Sequence, residues 1–233
     1  MVDLTAEMAQ LLASLGPARP GQARVIQLVA ATSGEGTSTV ARELARFAAG
    51  RARKPVWLID LDLMNSPQYG AIAADPARYG VIGRPTAASP DGSAFFTIQP
   101  PACGPDGRPW RDSRYLVAHP VGGPNFWVTR LRREALIGEQ TAHVMPTGDY
   151  WNALRQYAEL VVIDAPSADR SRVAMTIAPF VDFTVLVVAA DEADATGPVA
   201  LRDAIHAAGG QCAGIVFNRA QVETPSFLKA LLP

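Results

Sequence analysis

Five short apolar runs constrain this chain more than anything else in it: 24–31 (RVIQLVAA), 55–60 (PVWLID), 160–164 (LVVID), 183–189 (FTVLVVA) and 212–218 (CAGIVFN). Each is β-branched and almost continuously hydrophobic, the pattern of a parallel strand covered on both faces. Helical patterns fall between them at 38–49, 149–158, 170–180 and 196–208. Strands that alternate with helices predict an α/β fold with a doubly wound, mostly parallel sheet. The helix over 38–49 is expected to bury Val40, Leu44, Phe47 and Ala48 and to expose Arg42, Glu43 and Arg46.

Two segments lie outside this rhythm. Residues 1–20 predict a separate N-terminal amphipathic helix, with Leu4, Met8, Leu11, Leu12 and Leu15 at helical spacing and Gly16, Pro17 and Pro20 ending it. Residues 21–233 then form the main domain. Within it, 66–125 carries 8 Gly and 10 Pro in 60 residues, too many for the regular alternation to continue. Phe95, Phe96, Trp110, Phe126 and Trp127 in and beside this stretch are too apolar for a solvated linker. They favour a partly ordered insertion, a small antiparallel ribbon built from pieces at 94–98, 115–118 and 126–129.

Composition narrows the function classes. A net charge of −1 gives no bulk attraction to nucleic acid. Cys103 and Cys212 show no metal or disulfide spacing, and neither do His119, His143 and His206. No apolar run approaches a membrane span and no leader pattern opens the chain, so a cytoplasmic protein is expected.

The chemistry concentrates at strand ends. After the first run comes Ala31-Thr-Ser-Gly34-Glu35-Gly36-Thr37-Ser38-Thr39, a Gly-rich turn leading into a helix. Such a turn points backbone N–H groups and the helix dipole into one concavity, which suits phosphate. The phosphate-loop pattern fits imperfectly, with Ala31 at its first Gly and Thr37 at its Lys. Asp60 and Asp62 end the second run and Asp164 ends the third. Carboxylates there are suited to holding Mg²⁺ or to orienting an attacking hydroxyl.

The order SGEGTSTVARELA, VWLIDLDL, VVIDAP and GIVFNR resembles the cytoplasmic P-loop domains of bacterial tyrosine kinases. These belong to capsule and exopolysaccharide export systems, within the broader MinD/ParA-like ATPases. The resemblance covers about 24–65 and 150–220. It implies that Gly34, Glu35, Gly36, Thr37, Ser38 and Thr39 line a nucleotide phosphate site and that Asn218 contacts adenine. It further implies Ser38, Asp60 and Asp164 as Mg²⁺ groups, with Asp60, Asp62 and Asp164 the catalytic acids of an active member. A strand-end turn is the plainer reading of Asn218-Arg219.

The departures point to a degenerate member. The family loop reads GEGKST, and here Thr37 removes its cation. The chain has only two lysines, Lys54 before the second run and Lys229 near its end. Arg42 is expected to point away from the loop, which leaves Arg130, Arg132 or Arg133 of another subunit as the other source of charge. Met64 and Ser167 replace the family's Arg and second Pro, and all five tyrosines precede residue 160. A tail available for tyrosine autophosphorylation is therefore not expected.

The resulting expectation is a tyrosine-kinase-like protein that binds ATP or ADP with Mg²⁺ weakly, or not at all. It would regulate polysaccharide synthesis, of capsule or holdfast type, through an inner-membrane chain-length or export protein. Homo-oligomers are compatible with this, nucleic acid is not, and the membrane is reached only peripherally through that partner. The alternatives are an active ATPase or kinase with an unorthodox loop, and a MinD/ParA-type positioning ATPase whose apolar 227–232 gives a weak membrane anchor.

Overall fold

The computed structural model describes residues 4–16, 21–104, 106–191 and 195–220. Helix α1 (Thr5–Ser14) leads to β1 (Arg24–Val29), α2 (Thr37–Ala49), β2 (Val56–Asp60), α3 (Pro67–Ala74), α4 (Pro76–Tyr79), β3 (Thr86–Ala87) and β4 (Phe96–Gln99). Then come β5 (Leu116–Pro120), β6 (Phe126–Leu131), β7 (Thr141–Val144), α5 (Asp149–Tyr157), β8 (Leu160–Asp164), α6 (Val173–Ile177), β9 (Phe183–Ala189), α7 (Thr196–Ala207) and β10 (Cys212–Asn218). An eight-stranded sheet runs in the order β10-β9-β1-β8-β2-β6-β5-β3, and β4 pairs with β7 in a separate ribbon. From β10 to β6 all neighbours are parallel. The expected α/β sheet is present.

Strand periodicity divides the core into two layers. Ile26, Leu28, Leu58, Val162 and Val185 face one way, onto Val40, Leu44 and Phe47 of α2 and onto Met8 of α1. Val25, Val29, Ile59, Val161 and Ile163 face the other, onto Trp151, Leu154 and Ile177. The N-terminal helix thus seals part of the α2 layer.

The Gly/Pro-rich stretch is ordered further than the sequence indicates. Its hairpin β5–β6 extends the main sheet through a parallel β2–β6 contact, with β3 pairing antiparallel at the margin. Phe95, Phe96 and Ile98 bring the β4–β7 ribbon into the Trp151 layer, with the Phe95 and Trp151 ring centres 4.9 Å apart. This packing accounts for most of the aromatic residues in and around 66–125.

One expectation for α2 is wrong. Glu43 is buried at 1% exposure, not solvent-facing. It receives Arg78 at 2.8 Å, Arg46 at 2.9 Å and the Tyr79 hydroxyl at 2.8 Å, because α4 folds over that side of α2. Among the described residues, no helix is long and apolar enough to cross a membrane. Residues 227–232 and Lys229 lie outside the described residues.

Candidate phosphate and acid site

The carboxyl ends of β1, β2, β8 and β10 converge on one crevice, where α/β sheets place their ligands. Gly34 and Gly36 adopt φ +94° and +90°, and Gly36 caps α2. These left-handed values suit glycine, and a Cβ on Gly36 would also collide with the Asn218 amide. The first N–H groups of a helix have no intrahelical acceptor, so the turn into Thr37 and Ser38 presents donors and a positive dipole end.

Side chains brace this loop from three sides. The Glu35 carboxylate turns inward, accepting from Thr32 N (2.9 Å), Thr32 Oγ1 (2.7 Å) and Ala189 N (3.1 Å). The Glu35 side chain is therefore committed inside the protein and does not line the expected phosphate site. The Asn218 amide donates to the Glu35 carbonyl at 2.9 Å, and Arg219 donates to the Gly34 carbonyl while pairing with Asp191. Ser33 N donates to Asp169 at 3.1 Å, and the Ser33 hydroxyl meets that of Ser167 at 3.0 Å. Asn218 thus works within the protein as a clamp on the loop.

The three acids gather beside it. Asp60 and Asp164 are register partners on β2 and β8, and both are buried. Asp60 accepts Asp62 N at 2.9 Å on one oxygen and Gln68 N at 2.8 Å on the other. Burial and then the neighbouring Asp164 push the Asp60 carboxyl up to about 8. Burial also raises Asp164, to about 6, against the pull of Ser38, Gln68 and Arg42. Asp62 turns outward, accepting Asn65 Nδ2 at 2.9 Å with Arg170 at 3.6 Å.

Gln68 ties these parts together, although no motif marks it. Its Nε2 donates to Asp164 Oδ2 at 2.6 Å and to the Ser38 carbonyl at 2.8 Å. Its Oε1 accepts Arg42 at 2.8 Å. Arg42 therefore engages Gln68 and the Tyr79 hydroxyl, not the loop, and from there its charge lowers Asp164. Arg130 pairs with Glu134 at 2.8 Å. Thr37 is buried at 8% exposure.

The phosphate-loop fold implies magnesium, and the residues present fit it poorly. Asp164 Oδ1 is buried without a partner. With the Ser38 hydroxyl beside it, that makes two ligand atoms at most, whereas Asp164 Oδ2 is held by Gln68 and both Asp60 oxygens are held by backbone N–H groups. Among the described residues, no three His, Cys, Asp or Glu side chains are grouped to hold a metal ion.

No protein-family model matches the sequence, and no curated protein matches it. Solved structures are similar in fold. The kinase domain of Escherichia coli tyrosine kinase ETK aligns over 96% of this chain and 76% of its own, at 15% identity and a TM-score of 0.58. The VpsO kinase domain aligns over 94% and 96%, at 19% identity and 0.52. Cobyrinic acid a,c-diamide synthase from Mycobacterium smegmatis, bound to an ATP analogue and magnesium, aligns over 90% and 78%, at 14% identity and 0.54. The chain thus has the P-loop fold seen in bacterial tyrosine kinase domains.

Proposed function

We propose that this chain is a degenerate tyrosine-kinase-like P-loop protein. It regulates exopolysaccharide synthesis or export, of capsule or holdfast type, by binding an inner-membrane chain-length or export protein, with weak or no ATP turnover. One observation carries the reading: the loop keeps its glycine geometry, but Thr37 stands in the place of its cation. The arginines nearest by are engaged elsewhere, Arg42 with Gln68 and Arg219 with Gly34 and Asp191.

Backbone N–H groups from Gly34 to Ser38 would receive phosphate oxygens, while Glu35 and Asn218 hold the loop in shape. Magnesium, in relatives that bind it, neutralises phosphate charge. Here the buried acids would instead confront the phosphates without an intervening cation, which weakens binding. The protein then works as a partner-binding body. The test is calorimetric titration with ATP-Mg²⁺, combined with a hydrolysis assay. Millimolar or undetectable binding without turnover is expected, and sub-micromolar binding or steady hydrolysis would reject the reading.

A second reading, an active ATPase with an unorthodox loop, draws on the unpartnered Asp164 Oδ1 and on Arg42 as a nearby cation. Movement of Gln68 would have to free Arg42 and the second oxygen of Asp164.

A further inference from the structure

We propose that Gln68 is a built-in blocker of the cation position, capping the Asp164 oxygen that a divalent ion would otherwise take and tying it to the backbone carbonyl of Ser38. This deepens the reading above and rests on its phosphate-loop assignment. Gln68 is fully buried, and each end of its carboxamide is matched to its partners: both amide hydrogens go to acceptors, and the oxygen takes a guanidinium. Its backbone N–H is committed as well, to Asp60 Oδ2. One residue therefore contacts both strand-end acids and the backbone of Ser38.

The amide orientation is fixed by chemistry. Arg42 can only donate, so Oε1 must face it, which turns Nε2 onto Asp164 and Ser38. Pro67 at the first turn of α3 fixes the approach of the following residue. A cation taking Asp164 Oδ2 would have to displace Nε2, breaking its bond to that oxygen and disturbing those to the Ser38 carbonyl and to Arg42. Arg42 is accordingly a positioning residue, acting on the acids through Gln68. The blocker is a neutral donor, so it satisfies Asp164 Oδ2 without supplying the charge that phosphates need.

The ligand class that follows is a phosphate group bound through backbone N–H groups alone, with no divalent ion. The test uses the full chain and Mn²⁺ as probe, following free Mn²⁺ by its electron paramagnetic resonance signal, with and without ADP. The wild type is expected to take up no Mn²⁺ below millimolar concentration. Gln68→Ala should bind it at least about 10-fold more tightly, the scale of one charge-assisted contact released. Gln68→Glu should bind it more tightly still, and Asp164→Asn added to Gln68→Ala should abolish the gain. Arg42→Met, which frees Oε1 and also removes a charge that lowers Asp164, should give a smaller gain and guards against misfolding at Gln68. Wild type binding Mn²⁺ as tightly as Gln68→Ala overturns the proposal. So do Gln68 and Arg42 variants that keep the native circular dichroism yet bind no better than wild type. Steady ATP hydrolysis by the wild type would instead reject the degenerate reading, so the two failures are separable.

Discussion

Substituting Thr37→Lys restores a cation where the backbone cradle already exists. Thr37 opens α2 directly after Gly36, so a lysine there stands at the start of the helix that closes the loop. One charge-assisted contact contributes about 1.5–3 kcal/mol, or about 10–150-fold in affinity. The lower end applies here, because Gly34 and Thr39 are exposed and water screens the new charge. The expected gain is therefore about 10-fold in ADP affinity, read by calorimetry at fixed salt and compared with Thr37→Met, which supplies bulk without charge. Hydrolysis should remain undetectable while Gln68 holds Asp164. If the lysine variant folds and binds ADP no better than the methionine variant, the missing cation is not what weakens this loop. If wild type already binds at micromolar concentration, the cradle suffices without it and the argument fails from the other side.

Glu35→Ala strips the loop of its internal acceptor and leaves the buried Ala189 N–H unpaired; urea unfolding should show a loss of about 2 kcal/mol, with roughly half of that for Glu35→Gln. Stability should also fall with rising pH. Asp60 and Asp164 are raised in the folded state, so their contribution is complete below the ordinary carboxyl value near 3.8 and is lost as pH climbs through about 6 and about 8. Unfolding free energies from urea titrations between pH 5 and 9 should decline by an amount on the order of a few kcal/mol, and Asp60→Asn should flatten the upper part of that decline.

The sheet was legible because its central strands are covered on both faces, so their composition alone distinguishes them. The glycine turn was legible because positive φ demands glycine. What escaped was everything decided by contacts between distant segments. Glu43 sits on the polar side of its helix by periodicity, and only α4 folding over it turns that position into a buried anchor for Arg46, Arg78 and Tyr79. The partners of Arg42, Gln68 and Tyr79, likewise come from α3 and α4 and leave no local pattern. Strand β3 has two residues and β4 has four, too few for alternation to register. Gln68 follows a proline in an unremarkable helix, and no local pattern could have named it. Asn218 stood out at a strand end, but its clamp on Glu35 needed the sheet order.

The loop's missing lysine and the acids' raised affinity for protons are two sides of one charge balance. A lysine in the loop would offset the Asp60–Asp164 pair, and Thr37 cannot. The charge of Arg42 lowers Asp164 but does not outweigh burial. Burial and the charge of Asp164 outweigh the groups that lower Asp60, so the pair lowers its own charge by retaining a proton, chiefly on Asp60. A neutral Asp60 can still accept the Asp62 and Gln68 N–H groups, so the strand ends keep their geometry without a metal. The same balance says that Thr37→Lys should draw both carboxyl values down and shallow the alkaline decline in stability, even with no nucleotide present. Loop and acids then answer to one electrostatic cause, and a lysine that leaves the pH profile untouched would separate them.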